Sequence, residues 1–320
     1  MRAIQVTRLD GPEAVELQEV PDPEPGEGQV LIEVHAAGVA FPDVLQTRGL
    51  YQAKPPLPFA PGGEVAGIVL EAPAGCGFAP GDRVAGMMMI GGFAEKAAVP
   101  VESVYALPDR LTWEQGASIV LNYTTAHFAL LDRGRFTPGE SVLVQGAAGG
   151  VGTASIQVAK AFGASRVIAV TSTDEKGAAA LEAGADEYVL LEGFKDVVKA
   201  SGGVDIVVDP VGGDRFTDSL RCLVPDGRLL VIGFTAGTIP SVQVNRLLLN
   251  NIDVVGVSLG GYNAKRPHHS QDSWKALLPH VESGALSPLV GSVRPLAEAG
   301  QAMTDLDERR AIGKLVLTVR

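Results

Sequence analysis

Polar and apolar residues alternate through Gln29-Val30-Leu31-Ile32-Glu33-Val34, the period of a strand with one buried face. The segment before it, Pro21-Asp22-Pro23-Glu24-Pro25-Gly26, cannot join a central sheet and reads as a turn-rich connection. Further short strands with turn residues before them are predicted at Gly62–Val69 and Gly81–Gly86. Gly91-Gly92-Phe93-Ala94-Glu95 then leads into Ala97-Ala98-Val99. This density of short strands, up to about Val120, predicts a small β-barrel-like domain.

The period changes after Ser141. Ser141–Gln145, Arg166–Val170, Val204–Asp209, Arg228–Gly233 and Ile252–Val257 are apolar runs of strand length. Helical patterns lie between them, at Thr153–Phe162 and Glu175–Ala183. Apolar strands alternating with helices predict βαβ units and a parallel sheet covered on both faces. A helix is expected near Ser273–Glu282, and a last strand at Lys314–Val319. The fold class is therefore α/β: a doubly wound Rossmann domain inserted in a discontinuous β-rich domain. The expected boundaries are 1–121 for the first part of the β-rich domain, 122–261 for the nucleotide-binding domain and 262–320 for the return.

The 320 residues suit two domains, with 46% hydrophobic and 20% charged residues. The formal net charge of -11 opposes general nucleic-acid binding, which needs clustered Lys and Arg. Cys76 and Cys222 are too few for a four-cysteine zinc lobe and form no CxxC pair, so they read as ordinary thiols. The N-terminal residues alternate like a strand and contain no long apolar run. Neither a secretory signal nor a membrane span is expected, and the predicted location is the cytoplasm.

The strongest local signal is Gly146-Ala147-Ala148-Gly149-Gly150-Val151-Gly152, which follows an apolar strand and opens a helix. Backbone N–H groups at a helix start meet a pyrophosphate, and glycine removes the Cβ that would block its approach. The spacing is GxxGxxG rather than GxGxxG, and a tight turn without ligand is the alternative for such a loop in isolation. NAD sites place a carboxylate at the end of the second strand, but this strand ends Val170-Thr171-Ser172-Thr173. Ser172 can donate to a 2′-phosphate and Lys176 can supply charge, which favours NADPH. A solvated helix lysine is the alternative for Lys176. Asp174 and Glu175 suit the start of the next helix.

Several segments carry a resemblance to a family. They are Ala36–Asp43, Arg48–Tyr51, Pro61–Gly67 and Pro80–Val84, then Tyr123–Ala126, the glycine loop, Asp209–Gly213 and Gly313–Leu317. In this order, nearly end to end, they resemble the zinc-free quinone oxidoreductases of the medium-chain dehydrogenase/reductase superfamily. The resemblance implies a GroES-like catalytic domain, a Rossmann domain and NADPH in the cleft between them. It also implies a homodimer paired through the edge strand 252–258.

Zinc alcohol dehydrogenases of the same superfamily carry Cys, His and Cys where this chain has Ala40, Gly63 and a position near Leu121. Those side chains cannot ligate zinc, so no metal is expected. Without one, hydride transfer suits an acceptor that is already electrophilic, a quinone or an enone.

The resemblance implies two catalytic residues. Tyr51 would hydrogen-bond the acceptor's developing oxyanion, with packing at a turn as the alternative. Thr125 would touch the nicotinamide carboxamide, with a backbone-bonded helix threonine as the alternative. Cofactor contacts are implied for Ala40, Phe41, Pro42 and Thr125, and for Gly146, Ala148, Gly149, Gly150, Val151 and Gly152 of the loop. They extend to Thr171, Ser172, Lys176 and Val211, to Gly233, Phe234 and Thr235, and to Val257 and Ser258. Lys314 completes the set, a surface lysine being its alternative. Glu64 is expected to be structural, Asp43 to start a helix, His127 to be a satisfied packing residue, and His268-His269 to lie in a solvated loop. Relatives with Asn or Ser at position 40, or a Tyr near position 191, differ from this chain's Ala40 and Leu191.

The expected activity is NADPH:quinone reduction. An enone, alkenal or enoyl-thioester reductase is the alternative on the same scaffold, and a non-catalytic NADPH- or nucleic-acid-binding protein is the alternative of another class.

Overall fold

The computed structural model describes residues 1–320, which divide into two compact units. The first unit comprises Met1–Leu121, Ser270–Trp274 and Pro288–Arg320. The second comprises Asn122–His269 and Lys275–Ser287.

In chain order the first stretch forms β1 (Arg2–Val6), β2 (Val15–Glu19), β3 (Gln29–Val39), α1 (Phe41–Thr47), β4 (Glu64–Glu71), β5 (Arg83–Met87), β6 (Lys96–Pro100), β7 (Val104–Ala106) and α2 (Trp113–His127). A π-helical turn at Phe128–Arg133 extends α2. Then come β8 (Ser141–Val144), α3 (Gly150–Ala161), β9 (Arg166–Thr171), α4 (Asp174–Glu182), β10 (Glu187–Leu190), α5 (Phe194–Ala200), β11 (Val204–Asp209) and α6 (Phe216–Arg221). The chain continues through β12 (Leu223–Val231), α7 (Val244–Asn250), β13 (Asp253–Gly256), α8 (Leu259–Asn263) and α9 (His269–Ser283). It ends with β14 (Val290–Pro295), α10 (Ala299–Asp307) and β15 (Lys314–Thr318).

The first unit is organised by β3. Its eleven residues pair antiparallel with β15, β4 and β6, inside a sheet of order β14-β15-β3-β4-β5-β7. Alternation puts Val30, Ile32 and Val34 into a core with Val65, Val84, Val99, Phe93 and Leu317. Burying side chains of this size contributes about 1.5–3 kcal/mol each.

The second unit is the α/β half. Six strands lie parallel in the order β10-β9-β8-β11-β12-β13. Counted from β8 this is 3-2-1-4-5-6, the doubly wound order of dinucleotide-binding sheets. Val142, Leu143, Val144, Val207 and Leu229 are fully buried because helices cover both faces. The point where strand order reverses lies between β8 and β11. Ligands of such sheets bind there, at the carboxyl ends of the strands.

Candidate functional site

In the second unit the glycine loop leaves the carboxyl end of β8 at the switch point. Gly146 turns it with φ +58°, in the left-handed region that costs glycine nothing. Gly152 allows the closest approach. A Cβ there would lie 2.3 Å from Gly146 O and 2.7 Å from the Ala147 backbone. A Cβ on Gly149 would meet only Gly146 O, at 3.4 Å, so the outer side of the loop is open. The loop is fastened to the next strand by the Ala147 N–H, which donates to Val170 O at 3.3 Å. Helix α3 starts at Gly150, so the first-turn amides of Gly150, Val151 and Gly152 have no partner within the helix. That donor set suits a pyrophosphate.

The other predicted contacts of this unit follow the ends of neighbouring strands. Thr171 ends β9, and exposed Ser172 comes next. Val211 follows β11, and a Cβ on Gly146 would come within 3.0 Å of its Cγ2. Gly233, Phe234 and Thr235 follow β12, and the Thr235 N–H donates to Pro210 O at 3.2 Å. Val257 and Ser258 follow β13, where Ser258 Oγ accepts from the Gly261 N–H. Asp209 shapes the β11 turn, its Oδ1 accepting from the Val211 and Gly212 amides at 2.9 Å. Thr125 lies in the interior of α2 and is half-buried.

At the 2′ position, helix α4 is capped by Thr173, whose Oγ1 accepts from the Lys176 N–H at 3.2 Å. Asp174 is engaged elsewhere: Tyr188 OH donates to its Oδ1 at 3.0 Å. Sequence reasoning missed this pair. Its signal is Gly177, an unexplained glycine inside an alanine-rich helix, where a Cβ would strike the Tyr188 ring at 2.4–2.7 Å.

In the first unit, Ala40, Phe41 and Pro42 open α1 and are half-buried. Asp43 starts that helix as expected, its Oδ2 accepting from the Ala40 N–H at 2.7 Å. Its Oδ1 accepts from the Gly62 N–H at 3.2 Å. Burial pushes its carboxyl up to about 6, against the opposing pull of the Ala40 amide and Lys314. Tyr51 is half-buried. Burial, then the nearby Asp43, raises its phenol.

Lys314 is not a surface residue: it is 4% exposed, with its ammonium 3.1 Å from Glu64 Oε2. The two are at ion-pair distance without hydrogen-bond alignment. Glu64 Oε1 accepts from the Leu121 N–H at 2.8 Å, so Glu64 has the structural role expected. Burial raises its carboxyl, and Lys314 opposes the shift. A Cβ on Gly38 would lie 2.7 Å from Lys314 Cε, so glycine there leaves room for the buried lysine.

Two histidine expectations need correction. His127 packs as expected, its ring edge-on to Phe162, but its Nδ1 is buried without a hydrogen-bond partner, 3.9 Å from Asp132 Oδ2. His269 is not in a solvated loop. It begins α9, its ring packs against Phe128 and Tyr262, and its Nε2 lies 3.4 Å from Asp132 Oδ2. No three His, Cys, Asp or Glu side chains converge as a metal-ligand group.

Comparison with known proteins agrees along the whole chain. Residues 26–109 match the alcohol dehydrogenase GroES-like domain, and residues 150–283 match the zinc-binding dehydrogenase family. "Quinone oxidoreductase-like protein 2" of Rattus norvegicus is 38% identical, covering 100% of this chain and 92% of its own. A probable oxidoreductase from Mycobacterium abscessus superposes with a TM-score of 0.91 at 41% identity, covering 100% of this chain and 99% of its own. The quinone oxidoreductase of Thermus thermophilus, whose structures include a complex with NADPH, gives 0.88 at 38% identity with both chains fully covered. The second matched family is named for zinc, yet Ala40 and Gly63 offer no side-chain donor at two of the ligand positions, and the third falls near apolar Leu121. With its doubly wound sheet, GroES-like half and relatives of more than 30% identity over its full length, the chain belongs to the zinc-free quinone oxidoreductase family of the medium-chain dehydrogenase/reductase superfamily.

Proposed function

We propose that the protein is an NADPH-dependent, metal-free reductase of quinones. The observation that carries this is the glycine loop at the switch point of the 3-2-1-4-5-6 sheet, with an open outer side and first-turn amides for a pyrophosphate. The first-turn amides of α3 hold the pyrophosphate. Ser172 and Lys176 receive the 2′-phosphate. Val211, Gly233–Thr235, Val257 and Ser258 flank the cofactor along the strand ends. Ala40, Phe41, Pro42 and Lys314 are the proposed contacts from the first unit. When bound, NADPH supplies the hydride.

Tyr51 and Thr125 are the proposed catalytic groups. The Tyr51 hydroxyl, protonated at neutral pH like any phenol, donates a hydrogen bond to the acceptor oxygen as charge develops. The Thr125 hydroxyl orients the carboxamide. Positions 40 and 63 lack metal donors, and the third ligand position falls near apolar Leu121, so an acceptor that is itself electrophilic, as a quinone is, suits the site.

The test mixes purified protein with NADPH or NADH and a benzoquinone or naphthoquinone, with and without a zinc chelator. Loss of reduced-nicotinamide absorbance that prefers NADPH and ignores the chelator is expected. Tight NADPH binding without quinone turnover would move the acceptor to enones or enoyl thioesters. Undetectable NADPH binding would leave a non-catalytic binding protein.

The same proposal includes a cytoplasmic homodimer. No helix is long and apolar enough to cross a membrane. Strand β13 is an open sheet edge, and α7 just before it exposes Val244, Leu248 and Leu249. An apolar helix beside an unpaired edge suits a second copy. Light scattering should give twice the 33.2 kDa of one chain. A monomer at micromolar concentration, or recovery with membranes on fractionation, would count against this.

A further inference from the structure

Asp174 poses a problem for NADPH. It lies in the first turn of α4, two residues after Ser172, where a free carboxylate would repel a 2′-phosphate and suit a ribose 2′-hydroxyl instead. Two features show that its side chain is held in place. Tyr188 OH donates to its Oδ1 at 3.0 Å. The Tyr188 ring is itself seated on α4 at Gly177, where any Cβ would fall 2.4–2.7 Å from ring carbons. A mid-helix glycine costs about 1 kcal/mol relative to alanine, so the seat is bought at the expense of helix stability. Asp174 is not needed as the cap, because the Thr173 hydroxyl fills that role.

The direction of the tether follows from the sheet. Tyr188 is on β10, in register with Ala169 of β9. In the order β10-β9-β8, strand β10 flanks β9 on the side away from β8, which carries the glycine loop. A bond to Tyr188 therefore draws the Asp174 carboxylate toward the sheet edge and away from the loop.

We propose that the Tyr188–Asp174 hydrogen bond is a cofactor-selectivity tether, which keeps the carboxylate off the 2′ position so that Ser172 and Lys176 meet a 2′-phosphate. This rests on the NADPH-binding part of the proposed function. Tyr188 and Asp174 are positioning residues, and neither touches the reacting atoms.

The test is equilibrium binding of NADPH and NADH to the apo protein, followed by reduced-nicotinamide fluorescence without any acceptor. Tyr188→Phe keeps the ring on Gly177 and frees Asp174. It should weaken NADPH about fivefold, the size expected for one like charge brought near a dianionic phosphate in water, and should leave NADH unchanged or tighter. Tyr188→Phe/Asp174→Asn should regain wild-type NADPH affinity. Glu175→Gln, which removes the same charge one residue on, should change the NADPH-to-NADH ratio less than about twofold.

A wild-type ratio in Tyr188→Phe would overturn the tether, and so would a double variant as weak as the single one. An equal rescue of Tyr188→Phe by Glu175→Gln would overturn it too, reducing the effect to net charge. Wild-type protein that binds neither cofactor, or prefers NADH, would overturn the NADPH proposal and the tether with it. Tight NADPH binding with no response to Tyr188→Phe would overturn the tether alone.

Discussion

Replacing Gly152 with alanine should lower both the stability of the protein and its affinity for NADPH, whereas the same change at Gly149 should lower affinity with a much smaller loss of stability. The contrast comes from what each new Cβ meets. At position 152 it would sit 2.3 Å from Gly146 O and 2.7 Å from two Ala147 backbone atoms. None of these is the flexible end of a side chain, so the loop or the start of α3 must shift. Overpacking of this kind costs about 1–3 kcal/mol. A displaced helix start also misaims its first-turn amides. Loss of two charge-assisted bonds to a pyrophosphate, each about 1.5 kcal/mol, amounts to over 100-fold in affinity. NADH should weaken by the same factor, because both cofactors carry the pyrophosphate.

At position 149 the Cβ meets only Gly146 O at 3.4 Å, and φ is -84°, which alanine adopts freely. Folding should therefore lose only the small difference between glycine and alanine as the N-cap of α3, while the methyl group blocks the approaching phosphate. Thermal unfolding and equilibrium cofactor binding on the two variants check this. Wild-type affinity in Gly149→Ala would mean that the open side of the loop does not face the cofactor.

The parallel sheet was legible because its strands are buried on both faces and read as unbroken apolar runs. The loop after Val144 was legible because three glycines must follow a strand that turns at once into a helix. Strand β10 was not read: its four residues, Glu187–Leu190, form a sheet edge too short to show a period. Helix α2 was legible only around Thr125 and His127, and its start at Trp113 was not, since Trp113–His127 fits no clean stripe. Missing β10 hid Tyr188, and so hid the reason for Gly177. The histidines failed for a related cause. A ring's partners, here Phe128 and Tyr262 around His269, come from other turns of the fold, and spacing along the chain does not reveal them. Lys314 had the same handicap. Its strand pattern says which residues alternate, but the anion that makes its burial tolerable lies on β4, far away in sequence.

That buried pair carries the other large expectation. Lys314→Met should destabilise the protein by about 3–5 kcal/mol, the usual cost of removing one partner of a buried ion pair. The loss is not that of a strong bond, since the pair lacks hydrogen-bond alignment. It arises because Glu64, fully buried, and Asp43, 1% exposed, are left without the cation that opposes their desolvation. A double variant, Glu64→Leu/Lys314→Met, should be more stable than Lys314→Met alone, because no partnerless charge remains at that position.

The pH dependence has a definite sign. Both carboxyls already have folded-state pKa values above their unfolded ones, and losing Lys314 raises them further. The folded variant then binds more protons than the unfolded chain above about pH 4, so its stability falls as pH rises through that window. The deficit of Lys314→Met should be smallest at low pH, where Asp43, with its carboxyl raised to about 6, is neutral, and should grow as pH rises. Urea midpoints across this range measure it. A variant within 1 kcal/mol of wild type at pH 8 would show that the two carboxyls do not depend on the lysine. A deficit equal at every pH would assign the loss to packing of the lysine stem rather than to its charge.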